Sequence, residues 1–164
     1  MGKNFLWVLL LLLGCSTAPK LKSQDQKKFT PTSQAERDRH LGYWVGEMTT
    51  KDGKFLRWLV ERRKDGTYTL THILRDSPQD SKKFDPARAF FELGIWGISG
   101  DVYFTATRQY FENGKINQYD VTDASLYDAY RIRSFDGTTF SYQNVETGDV
   151  FTVKKVPQGS KLEI

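Results

Sequence analysis

From Asp38 onward, apolar and polar residues trade places at nearly every second position. Leu56, Trp58 and Val60 stand against Arg57, Glu61 and Arg63; Tyr68, Leu70, His72 and Leu74 against Thr67, Thr69 and Thr71; Phe140 and Tyr142 against Thr139, Ser141 and Gln143. Successive side chains of a strand point to opposite faces, so this period predicts strands with one buried and one wet face. Turn pairs separate them: Asp52-Gly53, Asp65-Gly66, Gly100-Asp101, Asn113-Gly114, Asp136-Gly137 and Gly148-Asp149. Such pairs accept the positive φ angles of tight hairpins. The predicted strands cover residues 43–50, 55–64, 67–75, 88–98, 101–111, 127–135, 139–146 and 149–156. A meander of this length protects its edges best by closing on itself, so the expected fold is all-β, an antiparallel up-and-down barrel of about eight strands.

Two connections break the rhythm. Residues 76–86 form a long polar loop, either a lid over one barrel mouth or an exposed connection. Residues 120–128, DVTDASLYD, suit a short helix capped by Thr122 or Asp123.

Ahead of the alternating region the pattern is different. Phe5 to Leu13 is an unbroken apolar run, preceded by Lys3 and followed by Gly14 and Cys15. It is less than half of the roughly 20 residues needed to span a bilayer, which suits a cleaved export signal rather than a membrane span. Cleavage after Ala18 by the ordinary signal peptidase would leave Pro19 first in the mature chain, a poor substrate bond. N-myristoylation requires Ser or Thr where Leu6 stands. Residues 16–37 then read as a disordered tether, almost free of apolar side chains and interrupted by Pro19 and Pro31. The expected organisation is a signal peptide at 1–14, Cys15 and its tether at 15–37, and one domain at 38–164, large enough to bury a core.

Charge follows the same division. The chain carries a net charge of +4, but the excess lies in the tether, at Lys20, Lys22, Lys27, Lys28 and Arg37 against Asp25 and Glu36. Acids and bases balance from Asp38 onward, so the domain has no basic excess of the kind that nucleic-acid binding would use. The tether suits either anionic headgroups or plain solvation.

Leu12-Leu13-Gly14-Cys15 resembles a lipobox, the recognition site of the lipoprotein signal peptidase, with Leu13 where a small residue is more usual. The resemblance implies a bacterial lipoprotein in which Cys15, the lone cysteine of the chain, carries acyl chains such as palmitate. Two or three chains anchor a protein durably. Ser16, where an aspartate would favour inner-membrane retention, implies the outer membrane and a periplasm-facing domain. With its sulfur acylated, Cys15 leaves no thiol for a disulfide, a zinc site or catalysis.

The domain carries a second resemblance. Gly42-Tyr43-Trp44 is similar to the Gly-x-Trp motif that opens the first strand of lipocalins and their calycin relatives. Asp-Gly-Thr-Tyr at 65–68, Gly-Ile-Trp-Gly at 94–97, Tyr-Arg-Ile at 130–132 and Phe-Thr-Val-Lys-Lys at 151–155 extend the likeness to bacterial lipocalin-like proteins over nearly all of 41–156. The Thr-Asp-Tyr signature of lipocalins is missing. The resemblance implies that Trp44, with Gly42, plugs the closed end of the barrel under a basic side chain of the last strand. Lys154 and Lys155 are the candidates for that cover, in place of the family's arginine.

The expected chemistry is binding. Trp58, Tyr68, His72, Phe104, Tyr130 and Tyr142 are candidate lining for a pocket that takes a small apolar ligand, since such sites are mostly apolar with few polar orienters. His72 falls among Leu70 and Leu74 on the buried face, where an imidazole either orients a ligand head or pairs within the core. His40 reads as exposed, and Arg62-Arg63 as a strand end facing solvent. No metal is expected from two histidines so placed, nor from Asp120, Asp123 and Asp128, which read as caps and solvated charges. No elbow motif flanks a serine, so no catalytic residue, enzyme activity or cofactor is expected. The competing expectation is a filled barrel that docks a protein partner of an envelope assembly or signal-sensing pair. Outward apolar residues at Ile73, Ile98 and Phe111 would mark that surface.

Overall fold

The computed structural model describes residues 32–76, 89–112 and 115–162. The export signal, Cys15, the tether as far as residue 31 and most of the 76–86 loop lie outside the described residues. A five-residue helix, α1 (Gln34–Asp38), precedes nine strands: β1 (Gly42–Thr49), β2 (Phe55–Arg62), β3 (Thr67–Arg75), β4 (Ala89–Ser99), β5 (Val102–Glu112), β6 (Lys115–Gln118), β7 (Tyr127–Phe135), β8 (Thr139–Asn144) and β9 (Val150–Val156).

Every pairing is antiparallel, and the ring closes. β1 to β5 pair in sequence order, β5 pairs β7, β7 to β9 continue the meander, and β9 returns to β1 with Tyr43 opposite Val156 and Gly46 opposite Val153. Eight strands make the barrel. β6, which the alternation did not predict, is the extra one: it pairs only the far end of β5, from Gln109 opposite Gln118 to Glu112 opposite Lys115. β5 thus serves two neighbours, β7 along Val102–Ala106 and β6 beyond Arg108. A bulge between Leu93 and Gly94 shifts its register with β4.

One end of the barrel is closed by aromatic packing. Trp44, Phe140 and Val153 are fully buried there, ringed by Tyr103, Phe135 and Ile132. The Trp44 indole N–H donates to the His40 carbonyl at 3.0 Å, and Lys155 Nζ lies 5.2 Å over the ring. Trp44 is therefore a buried plug with a last-strand lysine across it. His40 differs from expectation. It is 2% exposed, stacked on Phe135 at 3.9 Å and edge-on to Phe140 at 4.8 Å. The helix holds it there: Ser33 Oγ caps α1 by accepting the Glu36 N–H, and the Glu36 carbonyl meets His40 Nδ1 at 3.1 Å.

Contact with the barrel begins inside the segment read as tether. Thr32 Oγ1 accepts the Gly100 N–H at 2.7 Å. Arg37 donates to the Lys64 carbonyl and lies 4.3 Å over Trp96. At the other terminus Leu162 folds back and is 6% exposed, forming with Leu59, Ile73 and Phe91 the lining of an outer hollow. Ile73 does face outward, but at 4% exposure it is covered; Ile98 packs against the core instead.

Candidate functional site

The barrel interior holds a half-open cavity of about 190 Å³. Strand parity builds its wall. Leu56, Trp58, Val60 and Arg62 come from β2, Tyr68, Leu70 and His72 from β3, Glu92 from β4, Tyr103 and Thr105 from β5, Asp128 and Tyr130 from β7, Tyr142 from β8 and Phe151 from β9. Trp58 lies back over β1, against the wall, because β1 offers no side chain opposite it: a Cβ at Gly46 would fall within the Trp58 indole. Around it the rings of Phe151, Tyr142, Tyr130 and Tyr103 interlock, with centroids 5.1–6.0 Å apart in stacked and edge-on pairs. Such offset arrangements place ring edges against ring faces.

Of the expected pocket residues, the structure brings Trp58, Tyr68, His72, Tyr130 and Tyr142 together around the cavity. Phe104 is not among them. It lies on the outer face, 39% exposed, with its ring over Gly97. The reason is parity: Tyr103 and Thr105 point inward, so Phe104 between them must point out.

Besides Thr105 and the tyrosine hydroxyls, a histidine, two carboxyls and an arginine lie among these surfaces. His72 stacks on Phe90 at 5.1 Å, and burial alone holds its pKa below the ordinary value. It also borders a hollow towards the rim of the barrel, shared with Lys54, Leu74 and Asp76. Glu92 is fixed in the wall by Thr107 Oγ1 at 3.0 Å and by the Tyr68 hydroxyl, which itself meets Thr107 at 2.8 Å. Burial, with the Asp128 charge adding to it, pushes the Glu92 carboxyl upward. Asp128 accepts the Asn144 amide at 2.9 Å.

The arginine is Arg62, at the floor, and its position corrects the solvent-facing expectation. It is 1% exposed. Its Nε donates to the Tyr103 hydroxyl at 3.3 Å, and its guanidinium lies over Tyr103, Phe140 and Trp44 at 4.7, 5.3 and 5.8 Å. Nη1 and Nη2 are buried and make no hydrogen bond of ordinary geometry. Parity could have found it, since Arg62 falls two residues beyond Val60 on the inward register. The cluster Arg62-Arg63-Lys64 hid that register behind a run of charge. The same reasoning places Glu92 and Asp128, each one step of two from an inward aromatic.

No trio of His, Cys, Asp or Glu among the described residues is placed to hold a metal ion. Asp123 caps a short 3-10 turn at Ala124–Leu126 by accepting the Ser125 N–H, and Asp120 accepts the Thr122 N–H in the same manner. No helix among the described residues is long and apolar enough to cross a membrane. No protein-family model matches the sequence, and no curated protein matches it either.

Proposed function

We propose that this protein is a lipid-anchored component of the bacterial envelope, held by acyl chains on Cys15 at the outer membrane and facing the periplasm. Its barrel binds or presents a small apolar ligand without catalysing a reaction. The observation that carries the binding half is the half-open cavity inside the barrel, whose surface is mostly apolar, from Leu56, Trp58, Val60, Leu70, Phe151 and the tyrosine rings, with polar groups set among them. That is the usual composition of a small-molecule site. At about 190 Å³ it is smaller than a typical drug-sized pocket, so a compact ligand fits it best. The anchor half is supported by the order of Lys3, the apolar run, Gly14 and Cys15.

Bromine quenches tryptophan fluorescence at short range, and Trp58 is the tryptophan that lines the cavity. Titrating the full chain with 8-bromo-1-octanol should quench saturably, and Trp58→Phe should remove most of that quenching. Quenching unchanged by Trp58→Phe would place the alcohol elsewhere. Metabolic palmitate labelling tests the anchor: it should vanish in Cys15→Ala, and its persistence would refute the assignment.

A second reading has its own observation. Phe91 and Phe111, 5.9 Å apart on the outer face, adjoin Ile116, which is 63% exposed. This apolar outer patch supports docking of an envelope protein partner. In-cell crosslinks lost in Ile116→Asp, with ligand uptake intact, would favour it.

A further inference from the structure

The closed end of the barrel contains more basic chemistry than its plug uses. Lys155 already covers Trp44, and the indole N–H is satisfied by the His40 carbonyl. Arg62 enters the same region from inside, through β2, and lines the cavity. A guanidinium cannot shed its charge in a protein, and it carries five donors in one plane. Here Nε is satisfied by Tyr103 and the Tyr142 hydroxyl stands near the group, while aromatic rings lie against it and neither Nη atom, both buried, makes a hydrogen bond of ordinary geometry. Leaving a buried charge with open donors is costly unless something completes the site.

We propose that Arg62 receives the head group of the cavity's ligand, and that this ligand is a compact amphiphile ending in a carboxylate. The inference rests on the reading of the barrel as a binder of apolar molecules and specifies the class. A carboxylate presents two oxygens in a plane, which matches the paired in-plane N–H groups of Nη1 and Nη2. The Tyr103 hydroxyl, held by Nε, stands beside that position. The wall offers no competing anion site. Glu92 and Asp128 are themselves carboxyls, occupied with Thr107, Tyr68 and Asn144. With the head on the floor, the tail runs up between Trp58, Leu70 and Phe151 towards His72. Volume sets the tail's length. A cavity of roughly 150 Å³ takes benzene, so about 190 Å³ suits a short-chain or single-ring acid. A longer chain would extend past His72 to the rim.

Ordered water is the other occupant able to satisfy these donors, and the test separates the two. Octanoate and 1-octanol share a tail and differ in charge. Calorimetric titration of the full chain in non-ionic detergent, against a protein-free blank, should give octanoate an affinity about tenfold or more above that of octanol. Arg62→Met should abolish the preference while retaining octanol binding, and Arg62→Lys should keep part of it, because a point charge replaces a fork. If Arg62→Met does not fold, carboxyl-labelled octanoate on the parent decides. Its bound ¹³C resonance should titrate below the free acid, as a carboxylate beside a fixed cation does, whereas titration at the free value overturns the proposal. Equal binding of acid and alcohol by the parent overturns the head-group role and leaves the apolar cavity standing. Binding of neither removes both readings.

Discussion

Two histidines and a glutamate give the barrel opposing responses to pH. Burial is the largest influence on His40 and His72, and it lowers both below the ordinary value of 6.5. The unfolded chain therefore takes up protons at higher pH than the folded one does. The stability associated with the neutral rings is complete above about pH 6.5 and is lost as the pH falls below it. Glu92 has the opposite sign. Its carboxyl is raised above 4.5, so its contribution is complete below about pH 4.5 and is lost as the pH rises through the folded value. Because the two overlap, the parent's melting curve alone does not isolate either. His72→Phe does: from about pH 7.5 to about pH 5.5 the parent should lose stability relative to this variant, measured by thermal melts. A difference that stays constant with pH would contradict a burial-depressed His72. The residue scale is also where sequence reading missed most. The inward register of Trp58, Tyr68, His72 and Tyr142 was legible because each sits in a clean two-residue alternation. Arg62 and Glu92 occupy the same register, but a charged side chain at an inward position reads as a wet face unless parity is carried through the charge. Phe104 failed in reverse, as an aromatic credited to the inside whose neighbours, Tyr103 and Thr105, already held the inward positions.

At the scale of elements, all eight predicted strands are present, within two residues at each boundary. Their turn pairs mark the ends, and Gly53, Gly66, Gly100, Gly137 and Gly148 take the positive φ that those turns require. What escaped were pieces whose structure depends on partners. β6 is four residues whose edge is completed by β5. α1 is too short to hold by propensity, although Ser33 and Glu36 stand at capping-box spacing; Arg37 against Trp96 docks it. The segment after β9 has no regular structure, yet Leu162 is buried beside Leu59, Ile73 and Phe91 and covers an outer face that alternation leaves bare. Leu162→Ala should cost about 2 kcal/mol, the low end for a buried leucine. It should also make Ile73 accessible to solvent, read as faster amide exchange in the middle of β3. Unchanged stability and exchange would mean that the segment does not hold this face.

For the whole molecule, closure of the sheet is what makes a site. Joining β9 to β1 brings the inward registers of seven strands into one lining, and the plug at Trp44 with Lys155 over it closes the end opposite His72. The closed barrel was legible from alternation and strand number. The cavity was not, because whether the inward aromatics fill the barrel or line a space depends on where small residues such as Gly46 let large ones retreat. The account's central claim is that this space is kept for a ligand. The direct measurement is a native mass spectrum of the full chain taken from its own envelope, beside Leu70→Phe, which narrows the cavity without adding a polar group. The account predicts a stoichiometric small molecule on the parent, an amphipathic acid once released and identified, and little or none on Leu70→Phe. A parent that arrives empty, or a molecule retained equally by both proteins, would contradict it.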